Sequence, residues 1–238
     1  MAESGYYIAF RCSPELQQEA SQFITLMKKG SPKKQDELLC SMLTFLTNET
    51  IDAYLMDLIV KSEIRGTQRN VIEKANVFIR KTAETVISKV ARKLTPVQQK
   101  GIARHIESCV VFEAEDTENN SMLIGCPIDE DFYNQVVKGH SALTEQGLDA
   151  AKPVLIRNQK LLMNEVVEYL VERLVANVTL GPILQKIVRF GIDSSVKLLH
   201  TTHEKVFTKM TMEEMQRANQ HFSEMLLISP TTMKAAYS

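Results

Sequence analysis

Residues 48–112 resemble residues 163–228, and a repeat of that length constrains the fold before any local assignment is made. Under a shift of 115, or 116 after one extra residue in the second copy, the aligned pairs include Tyr54 with Tyr169, Gly66 with Gly181 and His105 with His221. The alternative is that two amphipathic helical stretches of similar composition align by pattern alone. A true repeat predicts two strand–helices–strand units within one chain.

The local patterns predict a mainly α protein, a helical bundle with a few short β-strands. Gly5–Arg11 is aromatic and β-branched, as in a strand. A turn-rich cluster at 116–120 separates two short apolar runs, which predicts a hairpin, and Leu226–Ile228 is a last short strand. In the repeat, each half begins and ends with one of these strands, so we expect the strands of both halves to form one small shared sheet. The predicted organisation is an N-terminal helical half at 1–115, a C-terminal helical half at 121–228 and a flexible tail at 229–238.

Helix boundaries follow from capping residues and helix breakers. Ser13 before a proline predicts a helix start, as does the Thr95-Pro96 pair. Asn48 predicts the start of a third helix, and Gly139 predicts the end of a later one. Pro153 predicts the start of the longest helix, which would run to about residue 178.

The 238 residues are 44% hydrophobic and 24% charged, which suits one large or two ordinary globular domains. The first residues lack the basic and apolar regions of a secretory signal, and no apolar run approaches a membrane span. The four cysteines show no Cys-x-x-Cys spacing, as is typical of reduced thiols. We therefore expect a cytoplasmic protein with no membrane partner.

Charge is unevenly distributed along the chain. Residues 61–104 carry eleven basic residues against three acidic ones, whereas residues 105–150 carry ten acidic residues against one lysine. The basic stretch could track a nucleic-acid backbone. The candidate contacts are Arg65, Arg69, Lys74, Lys81 and Arg92. Alternatively, the acidic stretch neutralises this face within the fold or across a dimer.

Two histidines are the first candidates for a ligand pocket. His105 and His221 align in the repeat, so they could line a shared cleft; a second candidate lies at Glu168 and Tyr169 on a helix that is apolar on most of its circumference. The alternative is that both histidines cap the edge of the core.

Metal and cofactor chemistry has little support. His200 and Glu204 are one helical turn apart with His203 between them, but a third ligand from another helix would be required. Phosphate-loop, dinucleotide, zinc-protease and calcium-loop motifs are absent from the sequence. We predict neither a metal nor a cofactor.

The favoured function is interaction: a regulatory, adaptor-type protein that acts through protein–protein contacts on helical surfaces, as a homo-oligomer and not as an enzyme. The alternatives are a nucleic-acid-binding regulator that uses residues 61–104, and a small-molecule-binding protein or enzyme with a helical pocket.

Overall fold

The computed structural model describes residues 5–30, 33–112, 122–228 and 231–232. The fold is mainly α, as predicted. The helices are α1 (Pro14–Lys28), α2 (Asp36–Ile51), α3 (Asp57–Ser62), α4 (Gly66–Ala91), α5 (Pro96–Cys109), α6 (Glu130–Gln146), α7 (Leu148–Val167), α8 (Arg173–Ala176), α9 (Pro182–Phe207) and α10 (Met212–Glu224). Two π-helical turns, Asp52–Met56 and Glu168–Glu172, join α2 to α3 and α7 to α8.

The strands form one antiparallel sheet. They are β1 (Tyr6–Arg11), β2 (Val110–Phe112), β3 (Met122–Pro127), β4 (Leu226–Ile228) and β5 (Thr231–Thr232), in the spatial order β4-β1-β3-β2-β5. The pairing of β2 with β3 confirms the predicted hairpin, and β4 is the predicted last strand. Only β5 of the proposed tail belongs to the described residues.

The order of elements recurs after 116 residues. This shift carries β1 onto β3, the first π turn onto the second, and Gly66 at the start of α4 onto Pro182 at the start of α9. Strand pairing recurs as well, because Tyr6 opposite Ile228 becomes Met122 opposite Phe112. The correspondence of His105 with His221 follows this shift, whereas the match of Tyr54 with Tyr169 is one residue out of register. A common origin of the two halves stays a prediction.

Local capping explains where several helices begin. The Ser13 side chain accepts a hydrogen bond from the backbone N–H of Leu16 at 3.1 Å. Thr95 and Gln98 form a reciprocal capping box at the start of α5, and Thr211 does the same for α10. Such contacts satisfy backbone N–H groups that have no partner within the helix.

The helix start expected at Asn48 is wrong, because this residue lies inside α2. The neighbouring Thr50 hydroxyl donates to the carbonyl of Leu46 at 2.7 Å, one turn back. The carbonyl of Asn48 accepts from the Arg80 guanidinium at 3.2 Å. The polar cluster is therefore accommodated within a continuing helix instead of starting one.

The boundaries expected at Gly139 and Pro153 are also wrong. Gly139 lies inside α6 at a close approach to α7: an added Cβ would be 2.4 Å from Nδ2 of Asn158. The chain breaks at Gly147, whose φ of +80° suits glycine. Helix α7 starts directly afterwards and contains Pro153 in its interior.

Four helices enclose the centre of the molecule. Helices α4 and α9 pack on each other, while α4 also packs on α2 and α9 on α7. Gly191 permits the contact between α4 and α9, because an added Cβ would lie 2.9 Å from Cγ2 of Val86. The space between these four helices and the two π turns is the candidate site.

Candidate functional site

An apolar cavity of about 240 Å³ lies between the four central helices. Leu46 and Tyr54 line it from α2 and the first π turn, and Leu170 lines it from the second. Val86 on α4 and Val196 on α9 complete the enclosure. Both halves of the chain therefore contribute to a single internal space.

The lining is hydrocarbon in character, and no charged side chain contributes to it in the described part of the chain. The hydroxyl of Thr50 donates to its own helix, and so does that of Thr82, to the Phe78 carbonyl at 2.8 Å. Burial raises the pKa of the Tyr54 phenol well above its ordinary value. The cavity thus offers contact area and exclusion of water, with few groups that can bind a charge.

Both walls of the cavity contain buried and accessible side chains. Leu46, Tyr54 and Leu170, on the side of α2 and the π turns, are buried, whereas Val171 in the second π turn is 37% exposed. Val86 and Val196, on α4 and α9, are partly accessible. Accessible lining residues therefore lie on both sides of the cavity.

The size of the cavity sets it apart from ordinary packing defects. Protein interiors are packed as densely as organic crystals and contain few voids larger than a water molecule. An apolar cavity of roughly 150 Å³ is large enough to hold benzene. The space in this fold is larger, and its lining is of the kind that binds apolar small molecules.

The two candidate histidines contact equivalent positions of the two π turns. His221 is only 3% exposed, and its Nε2 lies 2.7 Å from the carbonyl oxygen of Ala53. His105 faces Tyr169, and their rings lie 5.5 Å apart. Burial lowers the pKa of each histidine, and the polar backbone beside it partly offsets this effect. These contacts favour the interpretation in which each histidine caps the core.

The histidines do not meet in one cleft. His221 lines a polar cleft of about 610 Å³ whose lining does not include His105. Three charged groups of that cleft form ion pairs: the Asp52 carboxylate contacts the Arg80 guanidinium, and Lys61 Nζ lies 3.0 Å from Oε2 of Glu224. These ion pairs therefore neutralise the charges of those side chains within the fold.

Glu168 and Tyr169 lie in the second π turn, next to Arg173. The guanidinium of Arg173 is 3.7 Å from Oε1 of Glu168 and 4.8 Å from the centre of the Tyr169 ring. Nearby, burial raises the pKa of Cys109 to about 12, which argues against a reactive thiolate. Neither Glu168 nor Tyr169 lines the apolar cavity, and a ligand site at these two residues stays a prediction.

The five basic candidates divide into two groups. Arg65 lies 3.7 Å from Glu63, and Arg69 lies 2.7 Å from Glu73. The remaining three are exposed and make no ion pair within the described residues. They are Lys74, Lys81 and Arg92.

No ion pair in the described part of the chain joins the basic stretch 61–104 to the acidic stretch 105–150. The acids at 113, 115, 116 and 118 lie outside the described residues. Neutralisation of the basic face by this stretch, within the fold or across a dimer, therefore stays a prediction.

The residues considered for a metal have separate partners. His203 is buried and stacks on Phe207 with the rings 3.8 Å apart, and burial lowers its pKa to about 3. Nε2 of His200 lies 2.8 Å from Oδ1 of Asn164. Glu204 pairs with Lys160 at 2.7 Å. Among the described residues, no group of three His, Cys, Asp or Glu side chains could hold a metal ion.

The chain matches none of the protein-family models, curated proteins or solved structures with which it was compared. In the described chain, no helix has the length and apolar character needed to cross a bilayer. The function is therefore argued from the cavity and the surface around it.

Proposed function

We propose that this protein binds an apolar small molecule, with a hydrocarbon chain or ring system, in the cavity between α2, α4, α7 and α9. The observation that carries the proposal is a space of about 240 Å³ with an uncharged lining contributed by both halves of the chain. Burial of the apolar surface of a ligand there would supply the free energy of binding.

The lining favours binding over chemical transformation. The Thr50 and Thr82 hydroxyls donate to main-chain carbonyls, and the pKa of the Tyr54 phenol is raised by burial, so this phenol stays protonated at neutral pH. The candidate histidines contact the π turns and do not line the cavity. A polar end of the ligand would therefore remain near accessible lining residues such as Val171 and Val196. Action through protein contacts, self-association and a regulatory role stay predictions.

A substitution that fills the cavity tests the proposal. Ser195 lines the cavity on α9, whereas the adjacent Ser194 does not. We expect Ser195→Leu to lower the affinity for the uncharged fluorescent probe N-phenyl-1-naphthylamine by about tenfold, because the added side chain occupies the space of the ligand. Fluorescence titration of the purified protein measures the affinity.

Ser194→Leu is the matched control, since it makes the same change one residue away, outside the cavity lining. We expect it to leave the probe affinity within about twofold of the parent protein. Thermal unfolding of both variants checks the fold, and saturating probe should raise the midpoint of the parent protein. Absence of saturable probe binding, or an equal loss in the two variants, would contradict the proposal.

A further inference from the structure

The outer surface of α4 and α9 combines positive charge with exposed aromatic rings. On α4, Lys74, Phe78 and Lys81 follow one another at helical spacing on one exposed side. On α9, Phe190 and Lys197 are seven residues apart and are also exposed. We name this surface the α4–α9 face and define it by Lys74, Phe78, Lys81, Lys186, Phe190 and Lys197.

The cavity lies directly behind this face. Ala83 lines the cavity and lies about 200° around α4 from Lys81, so the two side chains point to opposite sides of the helix. On α9, Ser195 lines the cavity and points away from the side that carries Phe190. Because α4 and α9 pack on each other through Gly191, their outer sides are neighbouring surfaces.

The lysines of the face are available to a partner. All four are exposed, and none forms an ion pair within the described residues. Glu84 and Asp193 are the nearby exposed acids on the same helices, so the local charge is positive although the whole chain carries a net charge of −1.

The apolar groups of the face are unusually exposed for their size. Phe78 is 46% exposed and Phe190 is 73% exposed, and the adjacent Val77 and Ile183 are 65% and 76% exposed. Helical surfaces with lysines beside exposed Phe and aliphatic side chains are typical of contacts with anionic membrane surfaces. Lysine is depleted at protein–protein interfaces. Phe78 and Phe190 could stack on nucleic-acid bases, but the exposed aliphatic Val77 and Ile183 beside them provide no stacking surface and favour a lipid interface.

We propose that the α4–α9 face docks on an anionic lipid surface, with the lysines near the headgroups and Phe78 and Phe190 in the interface. The two helices that form one wall of the cavity would then lie against the bilayer. Exchange of a hydrocarbon ligand between bilayer and cavity rests on the function proposed above, whereas the docking itself does not. The expectation of no membrane partner rested on the absence of a spanning segment, and surface docking requires none.

Vesicle flotation tests the docking. The full chain is mixed with vesicles of phosphatidylcholine alone, or of phosphatidylcholine with about 30% phosphatidylglycerol. We expect binding to the anionic vesicles only, and a loss of about tenfold or more in the Lys74→Glu, Lys81→Glu double variant. Phe78→Ser with Phe190→Ser should also weaken binding, because the rings no longer enter the interface.

The matched control is Lys100→Glu with Lys138→Glu, which makes the same charge change at exposed residues of α5 and α6. It should bind anionic vesicles within about twofold of the parent protein. Circular dichroism and thermal unfolding confirm that each variant is folded.

Several outcomes would overturn the docking proposal. They are no binding to anionic vesicles, an equal loss in the two charge variants, or salt-steep binding to a single-stranded oligonucleotide with no vesicle binding. Probe titration without vesicles separates the two proposals, since the Lys74→Glu, Lys81→Glu variant should keep its affinity for N-phenyl-1-naphthylamine. Vesicle binding by a protein that binds no probe would support docking and reject the cavity function.

Discussion

The two π-helical turns have the same position in the two halves but different surroundings. In the first, the carbonyl of Ala53 bonds the buried His221, beside a cleft that contains Asp52 and Lys61. In the second, His105 faces the backbone of Tyr169, and the Tyr169 ring packs against that histidine. The histidine contact recurs, while the side chains around it differ.

This comparison indicates that a partner for the backbone of each π turn is a structural requirement, whereas the other side chains around the turn can vary. A π turn moves the helical hydrogen bond from the fourth residue to the fifth, so its junction leaves a backbone carbonyl in need of another partner. His221 supplies that partner in the first turn, and His105 faces the equivalent backbone position in the second. The recurring contact therefore holds α10 against the first π turn and α5 against the second.

The largest effect should come from removing the more buried of the two contacts. We expect His221→Ala to lower the free energy of unfolding by about 3 kcal/mol, because it leaves the Ala53 carbonyl buried without its partner and creates a void. Urea denaturation at pH 7.5 measures the change. His221→Gln, which keeps a donor, should recover part of the loss. A binding role for His221 would instead weaken probe affinity with little change in stability.

The halves should also differ in their response to acid. His203 on α9 is buried, with neither ring nitrogen bonded within the described residues, and Ile87 is its counterpart on α4. Burial lowers the pKa of His203 from 6.5 to about 3, so the unfolded chain takes up a proton first as pH falls. Its contribution to stability is constant above pH 6.5 and decreases by about 1.4 kcal/mol per pH unit between the two pKa values.

His203→Leu tests this assignment, because leucine resembles the isoleucine of the first half and does not titrate. Urea denaturation at pH 7.5, 5.5 and 4.5 should show a weaker pH dependence in the variant than in the parent protein. Some dependence will remain, since burial also lowers the pKa of His105, His200 and His221. Identical pH profiles for variant and parent would show that folding leaves the pKa of His203 unchanged, and would contradict this assignment.

The smallest effect should come from the second π turn. We expect His105→Ala to cost about 1 kcal/mol, because His105 is less buried than His221 and water can reach the backbone of Tyr169 more easily. The same urea measurement applies. A loss as large as that of His221→Ala would mean that the two contacts are equivalent and that the comparison drawn above is wrong.

The sequence predicted the parts of the fold that depend on neighbouring residues. Ser13 and Thr95 start helices because their side chains bond the backbone three residues ahead, and β2 and β3 pair across a short connection. The π turns were not predicted, because the partner of Ala53 is His221, 168 positions away. Gly139 was misread because its role depends on Asn158 in another helix.

The candidate site was harder to predict than the fold. Val86 and Val90 follow the apolar spacing of any buried helix face, and a sequence pattern cannot show whether the space between such faces is filled. The same spacing would place Phe78 in the core, yet it is exposed between Lys74 and Lys81. The basic residues were identified, but their association with exposed rings required the structure.

The exchange of strands between the halves has a consequence for synthesis of the chain. Strand β1 has both of its neighbours, β3 and β4, in the second half, so Tyr6 meets Ile228 only after both halves have been made. A ribosome-bound first half would expose an unpaired strand edge until those strands emerge, which is a known hazard for aggregation. Closure of the sheet should therefore be a slow, late long-range step in folding.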